Sequence, residues 1–181
     1  STECTPCDPG RHSKAGDTEC FLCEKGKYHG ELDNITEHED CSDCQAGKYA
    51  DEPGLEECHP CPTNKTSGEN SVSPSDCICE KGFTNSTDDS CVACEAGTFK
   101  DQIGDGSCLS CPTGKISEAN SSSCSTCVGG TYSSEKSSSC TKCNFGKHSL
   151  PGSSECVDCV LGKQHGTNYF ITDTADCTDC P

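Results

Sequence analysis

The cysteines of this chain fall into eleven close pairs, and their spacing constrains the fold more than any other sequence feature. Ten pairs have the pattern Cys-x-x-Cys, and the remaining pair, Cys77-Ile78-Cys79, has one residue between its cysteines. Only 11 to 17 residues separate one pair from the next. A pattern that returns at such a short period is typical of a repeat protein built from small loops.

Composition shows why cross-links must hold these loops together. Leu, Ile, Val and Phe account for 21 of 181 residues, Trp and Met are absent, and the formal net charge is −17. So few apolar residues with so much charge are typical of disorder, but 22 cysteines exceed the content that marks a disulfide scaffold. The same numbers exclude a transmembrane helix in this segment and argue against a nucleic-acid partner.

The loops open in a common way that predicts their local structure. In most of them Gly lies three positions after the second cysteine of a pair, followed by a basic residue and often by an aromatic ring. Asn64 replaces this Gly in one loop, and because Asn tolerates positive φ, the exchange predicts a left-handed turn. We therefore expect a small disulfide-rich fold, mostly β or irregular, in an elongated tandem array of short disulfide-closed loops with almost no helix.

A longer repeat lies above the loops. Residues 140–181 align with residues 4–45 at an offset of 136 without a gap, and 20 of these 42 positions are identical. We expect residues 1–139 to form one super-repeat of about eight loops and residues 140–181 to begin a second. The chain then represents a segment of a longer tandem array.

Two disulfide schemes suit paired cysteines. The interlaced scheme joins first with first and second with second, and it needs an even number of pairs, whereas this chain has eleven. We favour the sequential scheme, which leaves Cys4 and Cys180 to bond with adjoining segments. Its bonds are Cys7–Cys20, Cys23–Cys41, Cys44–Cys58, Cys61–Cys77, Cys79–Cys91, Cys94–Cys108, Cys111–Cys124, Cys127–Cys140, Cys143–Cys156 and Cys159–Cys177.

The compartment follows from the same cysteines. Disulfides persist outside the cell, so we expect an extracellular or cell-surface location. Four Asn-x-Ser/Thr sequons, at Asn34, Asn64, Asn85 and Asn120, predict N-linked glycans.

Metal binding is a competing interpretation of several residues. Cys20/Cys23 and Cys41/Cys44 fit a zinc-ribbon spacing, although the sequons and the shorter gaps elsewhere argue against zinc. The acidic segments 17–20 and 37–41 loosely resemble the lead-in of calcium-binding growth-factor modules, so calcium stays an open cofactor, although solvated acidic surface is the simpler explanation. His12 and His29 recur as His148 and His165, which leaves a contact role open.

Two further rows of side chains recur along the loops. Basic residues follow the loop Gly and acidic residues precede many first cysteines, so the two rows could pair between repeats or between chains, or remain solvated. The ring after the basic residue, as in Tyr28, is expected to cover its own disulfide. We find no catalytic motif and expect no enzyme activity.

The loops Cys-x-x-Gly-Lys-Tyr…Cys-x-x-Cys resemble the cysteine-rich repeats of ephrin-receptor ectodomains and the first half-modules of tumour necrosis factor receptors. The segment from Cys77 to Phe83 is similar to the closing half of an epidermal-growth-factor module, which implies the 79–91 bond as well. The resemblance implies an extracellular repeat fold rather than a particular ligand.

Two functions are compatible with these features. The first is an extracellular structural glycoprotein, a disulfide-stapled, rod-like repeat segment that self-associates into a surface coat, fibre or filament. The alternative is a ligand-binding ectodomain segment of a cell-surface receptor. In neither does this segment insert into a membrane.

Overall fold

The computed structural model describes residues 7–14, 16–30, 41–160, 163–165 and 177–179. These residues form antiparallel two-stranded ribbons, one per loop, and a single turn of 3-10 helix at Pro74–Asp76. The ribbons pair β1 (Arg11–His12) with β2 (Phe21–Leu22), β3 (Lys27–Tyr28) with β4 (Ser42–Asp43), β5 (Lys48–Tyr49) with β6 (His59–Pro60), β7 (Lys65–Thr66) with β8 (Ile78–Cys79), β9 (Phe83–Asn85) with β10 (Cys91–Ala93), β11 (Thr98–Phe99) with β12 (Leu109–Ser110), β13 (Lys115–Ile116) with β14 (Ser125–Thr126), β15 (Thr131–Tyr132) with β16 (Thr141–Lys142), β17 (Lys147–His148) with β18 (Val157–Asp158), and β19 (Lys163–His165) with β20 (Cys177–Asp179). The expected disulfide-rich, mostly β fold with almost no helix is confirmed for these residues.

The ribbons that start at β1 through β17 each begin with a tight turn that the sequence specifies. In the first loop the Arg11 N–H donates to the Asp8 carbonyl at 3.1 Å, and Gly10 between them has a φ of 78°. A turn of this kind requires positive φ at its third residue, which Gly supplies without steric cost. Asn64 occupies the same place with a φ of 62°, so the predicted left-handed turn is confirmed.

The cysteine spacing follows from how a ribbon closes. The second strand of most ribbons is the pair of residues between two cysteines, as in β2 between Cys20 and Cys23. The Cys23 N–H then donates to the Gly10 carbonyl at 2.9 Å, which ends the ribbon. The first cysteine of a pair therefore closes one loop, and the second opens the next.

The buried interior consists mainly of half-cystines. Cys23, Cys44, Cys79 and Cys111 are fully enclosed, and Ala50 is the buried aliphatic side chain among the described residues. Half-cystines can form this interior because each loop is too short to bring larger apolar side chains together.

The Tyr28 ring reaches beyond its own loop. It packs with Leu55 against the cluster formed by Cys44, Ala50 and Cys58. It therefore covers the disulfide of the following loop, because strand β3 lies beside Leu55 in a parallel bridge.

The chain divides into two compact units, residues 1–79 and 80–181. Within the first unit, the N–H of the turn residue donates to a carbonyl of the next loop, as from Gly26 to Ala50 at 2.9 Å. The second unit repeats this bond, for example from Gly114 to Ser133 at 2.9 Å. The same backbone groups thus join consecutive loops in each unit.

The turn glycines also approach the loop after next. A Cβ atom on Gly26 would lie 2.7 Å from the Asn70 carbonyl oxygen, and one on Gly114 would lie 2.9 Å from the Gly152 Cα and closer still to its carbonyl. Both distances are shorter than a side chain can occupy. Gly is therefore required at these turns for its φ and for the space that it leaves to a neighbouring backbone.

Candidate functional site: the inter-loop contacts and the histidine–disulfide pairs

A buried serine links consecutive loops at four places. It lies three positions after the turn residue and donates its hydroxyl to a carbonyl of the preceding loop. The four bonds run from Ser67 to Lys48 at 2.8 Å, Ser117 to Thr98 at 2.8 Å, Ser133 to Lys115 at 3.1 Å and Ser149 to Thr131 at 2.9 Å. The recurrence of Ser at this position is visible in the sequence, but its inter-loop partner is not.

Lys100 occupies the serine position of its own loop. Its side chain is buried, and its ammonium donates to the carbonyls of Glu80 and Gly104. Burial lowers the pKa of Lys100, while the nearby Asp105 carboxylate opposes that change. The lysine therefore holds the loop turn at Gly104 against the preceding loop at the cost of a partly desolvated charge.

Two histidines contact disulfide sulfurs. His12 Nδ1 lies 3.1 Å from Cys41 Sγ, and His148 Nδ1 lies 3.2 Å from Cys177 Sγ. Each histidine is the second residue of a first strand, β1 or β17, and the disulfide that it contacts closes the following loop. Both residues of the second contact lie 136 positions after those of the first.

The same residues form clusters of possible metal ligands. The donor atoms of His12, Cys23 and Cys41 all lie within 4.8 Å of one another. Both sulfurs belong to the Cys23–Cys41 bond, however, and a metal requires a thiolate, so the oxidised cluster does not provide a metal centre.

The four cysteines that fit a zinc-ribbon spacing are also divided among separate disulfides. Cys20 is joined to Cys7, and Cys44 is joined to Cys58. With Cys23 bonded to Cys41, the four cysteines lie in three disulfides, which rules out the zinc-ribbon interpretation for this oxidised chain.

The structure joins cysteines in sequential order. The bonds that it shows are Cys7–Cys20, Cys23–Cys41, Cys44–Cys58, Cys61–Cys77, Cys94–Cys108, Cys111–Cys124, Cys127–Cys140, Cys143–Cys156 and Cys159–Cys177. Cys79 and Cys91 are disulfide-bonded as well. Cys4 and Cys180 lie outside the described residues.

The sequons differ in accessibility. Asn64 is half-buried in its left-handed turn, and Asn85 is half-buried on strand β9 with its side-chain oxygen enclosed. Asn120 is exposed, with a φ of 61°. Asn34 lies outside the described residues.

The acidic side chains have local roles where the structure describes them. The Asp17 carboxylate accepts a hydrogen bond from the Lys14 N–H at 2.9 Å. Of the second candidate calcium segment, residues 37–40 lie outside the described residues. Asp88 is an exposed acid whose pKa is lowered to about 2, mainly because the Ser86 hydroxyl donates to it and secondarily because Ser90 does.

Two lysines of the basic row form ion pairs within their own ribbons. Lys27 Nζ lies 2.8 Å from Asp43 Oδ1, and Lys147 Nζ lies 2.7 Å from Asp158 Oδ1. These carboxylates belong to the second strand of the same ribbon rather than to the row before each first cysteine, because ribbon register places them directly opposite.

Apolar side chains are exposed after three consecutive cysteine pairs of the second unit. Val128, Phe145 and Val160 are exposed by 68%, 93% and 67%. In the part of the chain that the structure describes, no helix is long and apolar enough to cross a membrane.

The turn glycines are not all covered. A Cβ on Gly146, whose φ is 76°, would meet no described atom within 4 Å, in contrast to one on Gly114. Gly47 lies at the same turn position with a φ of 83°, and a Cβ there would meet only the Thr66 hydroxyl oxygen, at 3.7 Å. The close approach to a neighbouring backbone is therefore not made at every turn glycine of the described residues.

Comparison with known proteins supports the repeat class that the sequence suggests. Residues 30–77 and 82–118 match the family model described as tyrosine-protein kinase ephrin type A/B receptor-like, so the expected resemblance is confirmed for these segments. A mouse Sushi, von Willebrand factor type A, EGF and pentraxin domain-containing protein 1 is 40% identical over 84 residues, and the rat protein is 38% identical. The match covers 44% of this chain and 2% of either relative. Together with the disulfides, these matches indicate an extracellular repeat module.

Proposed function

We propose that this chain is a segment of an extracellular structural glycoprotein, whose disulfide-closed loops build a rod-like part of a surface coat, fibre or filament. The observation that carries the proposal is the repeated inter-loop bond, which uses the same turn N–H and the same carbonyl position at every step described within each unit. A repeating interface of this kind can be extended by another loop without a change in its chemistry.

Gly10, which lies 136 positions before Gly146, closely approaches the Gly54 carbonyl of a later loop, and this contact defines where an extension would add at Gly146. We propose that a further copy of the segment continues the stack there, with a left-handed turn filling the space that Gly152 fills beside Gly114. The proposal includes N-linked glycans at exposed sequons such as Asn120. It assigns no enzyme activity to the segment.

The experiment is sedimentation velocity over a range of concentrations, together with negative-stain microscopy, on the oxidised chain. We expect concentration-dependent polymers. Gly146→Asn should prevent them, because Asn tolerates the left-handed turn but fills the open space. Phe145→Ser is the matched control, since it removes an adjacent exposed side chain without filling that space.

A monodisperse monomer at every concentration, or polymers that Gly146→Asn leaves unchanged, would contradict this arrangement. The alternative is a ligand-binding receptor segment, and the exposure of Val128, Phe145 and Val160 favours it, since exposed apolar side chains can form a binding surface. In that case the chain stays monomeric, and polymers that Phe145→Ser alone abolishes would indicate apolar contact rather than stacking.

A further inference from the structure

Two loops of equal length use the same segment in different ways. The Cys44–Cys58 and Cys94–Cys108 bonds both join cysteines that lie 14 positions apart. In the first of these loops the Gly54 N–H donates to the Cys23 carbonyl at 2.8 Å. The carbonyl of the next residue, Leu55, accepts a backbone hydrogen bond from the preceding loop at 3.1 Å. This segment therefore forms part of the contact between loops.

The corresponding segment of the second loop, residues 101–107, is exposed. Gly104 lies in the place of Gly54, and its carbonyl accepts a hydrogen bond from the Lys100 ammonium. Asp105 lies in the place of Leu55 and is exposed, and the Ile103 side chain is 54% exposed. Residues 41–160 are described without a gap, so this exposure does not arise at an edge of the described chain.

Two side chains hold the exposed segment in place. The Lys100 ammonium also donates to the Glu80 carbonyl at 3.3 Å, and the Thr84 hydroxyl donates to the Gly106 carbonyl at 3.1 Å. The first loop has Ala50 where the second has Lys100, so it has no side chain that could form the lysine bonds. A loop that is ordered before it binds loses less conformational entropy on binding.

The charge around the exposed isoleucine has one sign. Ile103 lies between the exposed carboxylates of Asp101 and Asp105 in the sequence. The neighbouring cation, Lys100, is buried and bonded to carbonyl groups, so it does not present its charge at this surface. The segment therefore displays an apolar side chain with a negative border.

Val92 adds a second apolar side chain to this surface. It pairs directly with Thr84 across the β9–β10 ribbon and is 46% exposed. Cross-strand partners lie on the same face of a ribbon, and the Thr84 side chain binds segment 101–107 on that face. The turn of the same ribbon carries the exposed acids Asp88 and Asp89. The two apolar side chains thus lie within a surface of carboxylates.

We propose that segment 101–107, together with Val92, docks a protein partner whose binding pocket is apolar and bordered by Arg or Lys. An apolar centre with a charged rim is the usual anatomy of a protein interface, and complementary charge selects the partner. A second copy of this chain fits poorly, because its net charge is −17 and its Lys27 and Lys147 already pair with carboxylates. This docking is independent of stacking at Gly146, which lies in a different loop.

The test is a fluorescence-anisotropy titration of the oxidised full chain with two labelled synthetic peptides at about 150 mM salt. One peptide alternates Arg with Leu and the other alternates Arg with Ser, so they carry the same charge and differ in apolar surface. We expect the Arg–Leu peptide to bind at least about tenfold more tightly, because burial of Ile103 and Val92 adds to the attraction of opposite charge.

Single variants locate the binding. Ile103→Ser should weaken binding of the Arg–Leu peptide about tenfold and change binding of the Arg–Ser peptide little. Val128→Ser is the matched control, since Val128 is 68% exposed but has no acidic neighbour in the sequence, and it should have no effect. Asp101→Asn should weaken both peptides. Thr84→Val removes the bond to Gly106 without a change in charge, so it should weaken the Arg–Leu peptide by disordering the segment.

Three results would overturn the proposal. The first is equal affinity for the two peptides, which would show charge attraction alone. The second is an Ile103→Ser variant that loses no more affinity than Val128→Ser. The third is a set of amide shift changes, measured by NMR during the titration, that lies outside residues 80–110. A chain that stays monomeric would contradict the stacking proposal and leave these three comparisons unchanged.

Discussion

Replacing Gly114 tests whether the approach of a loop to the loop after next determines the stacking. Gly114 and Gly146 occupy the same turn position of the second unit, with φ values of 75° and 76°. They differ in surroundings, since a Cβ on Gly114 would lie 2.9 Å from the Gly152 Cα and nearer to its carbonyl, whereas one on Gly146 meets no described atom within 4 Å. The pair therefore separates the cost of the left-handed φ from the cost of the close approach.

The magnitude follows from these two costs. An alanine at positive φ loses about 1–2 kcal/mol, which both Gly→Ala variants share. Overpacking adds roughly 1–3 kcal/mol more, and it applies to Gly114→Ala only. Because the clash is with backbone, which cannot rotate away as a side chain can, the loop that contains Gly152 must move.

The assay is amide hydrogen exchange at Gly152, whose N–H donates to the Cys127 carbonyl at 2.9 Å. An opening free energy lowered by about 1–3 kcal/mol raises the exchange rate roughly 5- to 140-fold in Gly114→Ala. Gly146→Ala has the same φ cost, in the loop that also contains Gly152, but no clash, so it should accelerate this amide less than Gly114→Ala does. Asn variants remove most of the φ cost, so Gly114→Asn should still accelerate exchange while Gly146→Asn does not. Equal exchange rates at Gly152 in the Gly114 and Gly146 variants would refute the reasoning.

Three further predictions concern single side chains. The carboxyl of Asp88 should titrate with a pKa of about 2 by NMR, and Ser86→Ala should return it toward 3.8, because that hydroxyl makes the largest contribution; an unchanged midpoint would contradict the assignment. Ser133→Ala should lower the free energy of unfolding by about 1 kcal/mol through loss of its inter-loop hydrogen bond, whereas exposed Ser134→Ala should change it little, as measured by denaturant titration. Because burial lowers the pKa of Lys100 below 10.5, the unfolded chain binds more protons between the lowered pKa and 10.5, so this group adds stability as pH rises through that window. Denaturant titrations from neutral pH to above 10.5 should show this rise in the unmodified chain and lose it in Lys100→Met.

The local structure could be predicted because each loop specifies it independently. The exchange of Gly for Asn64 is enough to predict the left-handed turn, since few residues other than Gly and Asn tolerate that φ. The ribbons follow from the turn and from the two residues that each cysteine pair leaves between its members. These interactions join residues that lie within about 20 positions of one another in the sequence, so the spacing of the cysteines and glycines is enough to predict them.

The contacts between loops could not be predicted from spacing. The packing of the Tyr28 ring on the disulfide of the next loop depends on how far one loop is displaced from its neighbour, and inter-loop hydrogen bonds set that distance. The contact of His148 with a sulfur 29 residues away depends on the same displacement. The recurrence of His12 as His148 was visible, but its partner required the stacked loops.

This division between local and inter-loop interactions indicates where function can vary along the repeat. The stacking bonds use mainly backbone N–H and carbonyl groups, so most side chains can change without altering how one loop meets the next. Side chains that do enter the interface are then free to differ in chemistry, as the buried serine position shows when it holds Lys100 or Ala50. The histidine contact is a departure of the same kind, because it adds a proton donor to a disulfide that already closes its loop without help. A repeat held by its backbone can therefore carry specific chemistry at a few positions, as Lys100 and the two histidine–disulfide contacts show.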